Sequence, residues 1–390
     1  MDEKYSRMRK IIVVLVVFMG IMDNIMAENP DYLFMIENAC KAPSGHNTQP
    51  WLFKIRESEI DIYPDFSKEL PVVDPTHREL FVSLGCATEN LCIAAQEKGY
   101  ESDVKVVNDS FIRVLLTKDK KRQSDSLLFS QIAVRQTNKS VYSGKEIPED
   151  SINKLKNISI DPSVSVYFYK RGTIDYEKIA DRVYAGNSLQ MNDEAFKTEL
   201  TKWMRYNKRH QNKTRDGLSY ATFGAPNVPL FLAKFIMSKA INEKTQNKGD
   251  RKKIASASHM VLFTTKDNTV EQWVALGRTL ERILLRSTQM GIVNAYLNQP
   301  NEESNIAKEM ASQLQIANEY PTILIRLGYG RKMPYSLRRD FRSCILPVEK
   351  SEEHYLGLCY RVIIYISSMM NISKVGIISL TNVHHACICY

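Results

Sequence analysis

No uninterrupted apolar run in this sequence is long enough to cross a bilayer comfortably. The most apolar stretch, residues 11–22, has 12 residues, against the ~20 that a spanning helix needs. Residues 362–380 are also apolar, but serines, Asn371 and Lys374 break them. A disulfide framework is missing too: the seven cysteines are odd in number and irregularly spaced. Cys86 and Cys92 sit in an apolar helical run and read as core residues. There is no zinc-finger spacing, no RNA-binding aromatic signature and no recognition helix, so the formal charge of +9 is not read as a nucleic-acid footprint. His384-His385-x-Cys387-x-Cys389 lacks the usual ligand spacing and stands at the far end of the chain, so no metal site is expected. Wholesale disorder is excluded by a hydrophobic content of 44%.

What is present begins with an export-like segment. Lys4, Arg7, Arg9 and Lys10 precede the apolar run, and Ala27 suits a cleavage site. Residues 1–27 are read as a signal peptide, with no lipoprotein cysteine and no twin-arginine pair. The chain is then exported (periplasmic), or anchored through residues 11–22 if the segment is uncleaved. Membrane contact is expected only through that segment, and a cytoplasmic location is disfavoured.

Residues 42–51 read Ala-Pro-Ser-Gly-His-Asn-Thr-Gln-Pro-Trp. Pro50 lacks an amide donor, and the residues before it are biased to extended geometry, so this is a loop feeding a strand. Ser44, Asn47, Thr48 and Gln49 offer uncharged donors and acceptors. Such a loop suits a flat heteroaromatic ligand better than a metal. Further on, strands are expected at 51–56, 59–63, 101–107, 111–117, 164–170, 257–265 and 322–327. Helices are expected at 31–41, from a Thr76 cap (with Glu79 completing a capping box) to about 98, at 124–134, 176–204 and 270–290. This alternation argues an α+β or α/β sheet structure flanked by helices.

The sequence also compares with itself. FVSLGCATENLCIAAQEKGY at 81–100 aligns without a gap with WVALGRTLERILLRSTQMGI at 273–292, at an offset of 192. Val82, Leu84, Gly85, Glu89 and Gly99 recur as Val274, Leu276, Gly277, Glu281 and Gly291. Gly85 and Gly277 fall in mid-helix, where each costs about 1 kcal/mol against Ala; close approach of another backbone is the natural reason. Residues 205–253 stand apart: basic, then apolar, then basic again. They read either as a solvated loop with a small packing helix or as a lid whose cations meet an anionic substrate.

Arg135-Gln136-Thr137-Asn138-Lys139 is the second motif. In an extended segment Arg135, Thr137 and Lys139 share one side, and together they suit a phosphate and a polar ring edge.

These pieces, with ASHMVLF (257–263), LNQP (297–300) and IRLGYG (325–330), span about residues 30–348. They resemble the FMN-dependent nitroreductase family, more closely its fused, single-chain branch with two nitroreductase-like halves. The resemblance implies an α+β, nitroreductase-like fold: two pseudo-symmetric halves with mixed or antiparallel sheets flanked by helices, packed as an internal pseudo-dimer. The halves would be 28–123 and 124–348, the second carrying the lid-like insertion 205–253, with 349–390 an unassigned tail. Arg135 and Thr137 would hold the FMN phosphate, and Lys139 would reach the pyrimidine edge of the ring. Pro43, Ser44, Gly45 and Asn47 would line the flavin, Asn298 and Gln299 would sit opposite the ring, and Arg338 and Arg339 would close on the phosphate. Residues 340–345 depart from the family pattern. Each motif lacks its counterpart elsewhere in the chain, which implies one FMN per chain and a monomer that mimics a dimer. The implied function is NAD(P)H-driven, ping-pong reduction of nitroaromatics, quinones or similar small-molecule acceptors. The chemistry would be flavin-borne, with no fixed catalytic residue; His46 is the candidate proton donor that such chemistry does not require. The rival reading is flavin binding or storage without turnover.

Overall fold

The computed structural model describes residues 29–119 and 124–347; the export-like segment and the tail lie outside the described residues. Helix α1 (Pro30–Ala39) starts where the Asn29 side chain accepts the Asp31 amide at 3.0 Å, with Pro30 in the first turn, where a missing donor costs nothing. Strands β1 (Trp51–Ile55) and β2 (Glu59–Pro64) form a hairpin. They are followed by α2 (Arg78–Glu97), β3 (Tyr100–Val107) and β4 (Phe111–Lys118). The four strands make one antiparallel sheet in the order β1-β2-β4-β3.

After the short helices α3 (Ser126–Ile132) and α4 (Glu149–Lys156) comes β5 (Val164–Lys170). It joins β8 (His259–Thr265), β10 (Tyr320–Gly328) and β9 (Val293–Tyr296) in a second antiparallel sheet ordered β5-β8-β10-β9. Helices α5 (Ile174–Asn192) and α6 (Glu194–Trp203) lead out of β5. The insertion then folds as β6 (Met204–Arg205), α7 (Lys208–Thr214), β7 (Leu218–Ser219), α8 (Leu230–Ala240) and α9 (Glu243–Ser256). Helix α10 (Val270–Gln289) follows β8, and α11 (Gln299–Glu302) and α12 (Ser304–Gln313) follow β9. The chain is an α+β protein.

Two local expectations fail for physical reasons. Thr76 does not cap α2: His77 holds that position at φ 61, and the Asp74 carboxylate accepts the Leu80 amide at 2.8 Å. Glu79, cast as the other half of a capping box, is engaged by the Asn298 amide instead. The long helix at 176–204 breaks at Asp193, whose extended backbone (φ −93, ψ 117) lets its carboxylate accept the Ala195 amide at 2.8 Å and start α6.

The centre is a helix pair. Of the 20 residues of α2, 17 are buried, so this helix is covered nearly all round by α1, the first sheet and α10. A Cβ on Gly85 would collide with the Val274 carbonyl, and one on Gly277 with the Val82 carbonyl. The mid-helix glycines are thus the contact at which two backbones meet, and Cys86 donates its thiol to the Gly277 carbonyl at 3.2 Å there. Trp51, Phe53, Ile60 and Ile62 of the first sheet and Val261, Phe263 and Ile325 of the second join one apolar cluster through these helices. Cys86 and Cys92 are buried on α2, as their apolar surroundings suggest, and with Cys40 and Cys344 they are free thiols. Near its end the described chain returns to the first sheet. Leu346 donates to the Phe53 carbonyl at 2.7 Å, covering the β1 edge.

Candidate functional site

The 42–51 loop is a tight, strained turn. Gly45–Asn47 makes one 3-10 turn, and the Ser44 hydroxyl accepts the Gln49 amide at 3.0 Å. His46, Asn47 and Gln49 all have left-handed backbone, with φ of 47, 56 and 56. Each such residue costs roughly 1–2 kcal/mol, so the surroundings must hold the loop in place. Two remote segments do so. From the insertion, Gly217 exchanges backbone and side-chain hydrogen bonds with Asn47 at 3.1 and 3.2 Å, and the Arg215 carbonyl accepts from Gln49 Nε2 at 2.9 Å. From the C-terminal strap, Arg338 donates to Asn47 Oδ1 at 2.7 Å and to the Ala42 carbonyl at 3.0 Å. The Arg339 amide donates to Gln49 Oε1 at 2.8 Å, and its guanidinium to the Gln49 carbonyl at 2.6 Å. The polar side chains of Asn47 and Gln49 are therefore spent on the loop's own shape.

The second motif lies against this loop. Gln136 exchanges two hydrogen bonds with the Met333 backbone, both 2.9 Å, and Asn138 Nδ2 donates to the Arg331 carbonyl at 2.7 Å. These two residues face the 331–333 segment. Thr137 forms a parallel bridge with Asn294. Arg135 is buried (4% exposed) and donates from Nη2 to the Lys41 carbonyl at 3.0 Å. Its Nε stands 3.3 Å from Glu281 Oε1 on α10, but is not aligned as a hydrogen bond. Arg135 Nη1 and Arg338 Nε, both enclosed, have no acceptor among the described residues.

Charge at this site is costly. Burial pushes the Glu281 carboxyl up to about 6, against the pull of Arg135. Burial, reinforced by Arg135, brings Arg338 down to about 10. Lys139 keeps some solvent contact, yet its enclosed ammonium is pushed down to about 7 by burial and then by Lys253. Its Nζ stands 4.0 Å over the Phe223 ring of the insertion. Beside it, burial and the Lys139 charge lower His46 to about 4, so His46 is neutral at physiological pH.

The structure thus brings together Arg135, Lys139, Arg338 and the 43–47 loop. Gly45 reaches Asn298 through Glu79: a Cβ on Gly45 would stand 3.6 Å from Glu79 Oε2, and Asn298 Nδ2 donates to Glu79 Oε1. Asn298 Oδ1 also accepts the Leu324 amide at 3.0 Å, which fixes it to β10. Gln299 opens α11, and its backbone packs on Gly186 of α5. Pro43 is buried and Ser44 half-buried. Arg339 lies further out, on Gln49 and 3.8 Å from Asp65. The sequence reading missed Glu281, Phe223 and Lys253 as neighbours of the site. Glu281 could have been found, since the self-alignment pairs it with Glu89, which also receives arginines, Arg278 at 3.0 Å and Arg282 at 2.8 Å.

No family model matches the chain. Two Mycobacterium tuberculosis proteins, from strains CDC 1551 and H37Rv, carry provisional NAD(P)H nitroreductase names. Each is 24% identical over 320 residues, covering 79% of this chain and 88% of the relative. The FMN-dependent nitroreductase NfnB of Mycobacterium smegmatis, solved with NADPH, overlaps 58% of this chain and 99% of its own, at 13% identity and a TM-score of 0.38. A protein of Anabaena variabilis provisionally named a nitroreductase overlaps 70% of this chain and 69% of its own, at 10% identity and a TM-score of 0.40. Over most of its length the chain is thus similar to proteins named as NAD(P)H nitroreductases.

Proposed function

We propose that this chain is an FMN-dependent oxidoreductase that uses NAD(P)H to reduce nitroaromatics, quinones or similar acceptors in a ping-pong order. The observation that carries this reading is the buried Arg135 beside the half-buried Arg338, whose enclosed N–H groups without a hydrogen-bond partner among the described residues lie beside the strained 44–49 loop. Unpaired buried donors of positive charge fit a phosphate, and each charge-assisted bond is worth about 1.5–3 kcal/mol. FMN, when bound, supplies a ring that can take a hydride from a nicotinamide and give electrons to an acceptor.

The chain's own residues bind and orient. Arg135 and Arg338 would hold the phosphate, with Thr137 adding a hydroxyl. Glu281, whose carboxyl burial raises only to about 6, keeps most of its charge at neutral pH and would hold the Nε side of Arg135 while Nη1 meets the phosphate. Lys139 would present its ammonium to the polar edge of the ring. Pro43, Ser44, Gly45 and Asn47 form a wall that Arg338, Arg339 and Gly217 keep from moving. Neutral His46 can donate one ring proton without adding charge. Asn298, Gln299 and Arg339 are assigned supporting roles around this wall.

The same reading treats the molecule as two nitroreductase-like halves, 28–123 and 124–348, sharing one FMN within a monomer. The reciprocal Gly85 and Gly277 contact and the arginines received by both Glu89 and Glu281 support an internal duplication. Residues 215–217 and Phe223 support a lid role for the insertion 205–253, since both reach the site. Residues 1–27 are assigned as an export signal.

The test is a colour measurement. Purified protein should carry a yellow chromophore that bleaches when NADPH is added without oxygen. A yellow protein that stays oxidised would replace turnover with storage, and a protein that takes up no FMN would remove both readings.

A further inference from the structure

Helix α8 is an apolar helix lying almost bare on the surface. Among the described residues, 16 large apolar side chains are exposed, and 6 of them fall between Phe223 and Ile236. Phe231 is 77% exposed and Phe235 61%. Only Ala233 of this helix is buried. A patch of this kind normally marks a surface that meets something. Its charge setting narrows the choice. From residue 217 to 242 the sequence contains no Asp or Glu, and the only charges are Lys234 and Lys239.

On its inner flank α8 faces α6 across an open groove of about 450 Å³, lined among others by Thr198, Lys202, His210, Lys234 and Met237. Lys202 and Lys234 stand on opposite walls, and neither has a carboxylate partner among the described residues. A second copy of this chain is a poor occupant, because self-pairing of the face would set lysines against lysines. An anionic lipid surface fits both features. Phenyl rings settle at headgroup depth, and the lysine stems lie along them while the ammonium groups reach phosphate.

We propose that α8 is a peripheral membrane-docking helix. It seats Phe231, Phe235 and Ile236 in the headgroup layer of an anionic bilayer, with Lys202 and Lys234 taking a lipid phosphate at the groove. This contact is separate from residues 11–22 and does not depend on the flavin reading.

The test uses the full chain, so that every variant keeps the N-terminal segment. Wild type and Phe231→Ser/Phe235→Ser are sedimented with vesicles of phosphatidylcholine alone, or with about one-third phosphatidylglycerol. Wild type is expected to bind the anionic vesicles and largely ignore the neutral ones. The double variant should bind the anionic vesicles at least about tenfold more weakly. Its melting temperature should not fall, because the side chains removed are exposed. In Phe231→Trp, the emission of the added indole should shift to the blue on anionic vesicles. Equal binding by wild type and double variant would overturn the proposal, as would absence of binding, indifference to lipid charge, or an unmoved emission. A dimer that the double variant disperses, without vesicle binding, would assign the face to a second copy instead.

Discussion

Arg135 is the residue on which the site's electrostatics converge. It touches the Lys41 carbonyl, faces Glu281 and lies close enough to Arg338 to lower that residue's affinity for its proton. Arg135→Ala should lower FMN affinity by about a hundredfold, the equivalent of one strong charge-assisted contact; flavin titration by fluorescence quenching reads it. Lys139 sets a pH dependence. The native ammonium releases its proton at about 7, whereas the unfolded chain keeps it up to the ordinary lysine range. Between those limits the unfolded state binds more protons, so the stability of the flavin-free protein should rise with pH. Lys139→Met should flatten that rise, measured by urea unfolding across about pH 7 to 10. Arg135 and Lys139 were legible in the sequence as paired cations of one short polar segment, which is a local pattern. Glu281 and Phe223 reach the site from distant positions, and no local pattern announces that. Asn47 and Gln49 were legible as polar loop residues, but only the structure shows their hydrogen bonds spent on Gly217, Arg338 and Arg339.

Among the elements, the α2 and α10 pair is the part most sensitive to a single added atom. Gly85→Ala or Gly277→Ala would drive a methyl group into the facing carbonyl, and neither backbone can move without shifting its whole helix. Each variant should lose about 3 kcal/mol or more of stability, seen as a lower urea midpoint. Gly249→Ala, where nothing stands near the added atom, should be neutral or slightly stabilising. Seven strands and both 20-residue helices were readable because their pattern runs long enough to show a period, whereas β6, β7 and β9, with 2, 2 and 4 residues, are too short to show one. The start of α2 and the break at Asp193 were not. The choice between Thr76 and Asp74 as the capping group depends on where Glu79 is drawn, and Asn298 draws it from more than 200 residues away. The insertion's helices escaped for a related reason. Outside α8 they are polar on most faces and rely on the body of the protein for support.

Across the molecule, the loop at 43–47, the Arg135 segment and the Arg338 strap come from three distant parts of one chain and meet at one place. Neither sheet alone can assemble that grouping. This explains why a loop of neutral residues carries so much left-handed backbone: its shape is imposed by contacts that form only when the chain is complete. The same construction leads to a prediction about stoichiometry. A monomer holding all three parts should bind one FMN with no second subunit. The most direct measurement is the flavin-to-protein ratio together with the mass in solution, by light scattering on the FMN-loaded chain. One FMN per chain on a monomer is the predicted result. A ratio of two per chain, or flavin retained only by a dimer, would contradict the account.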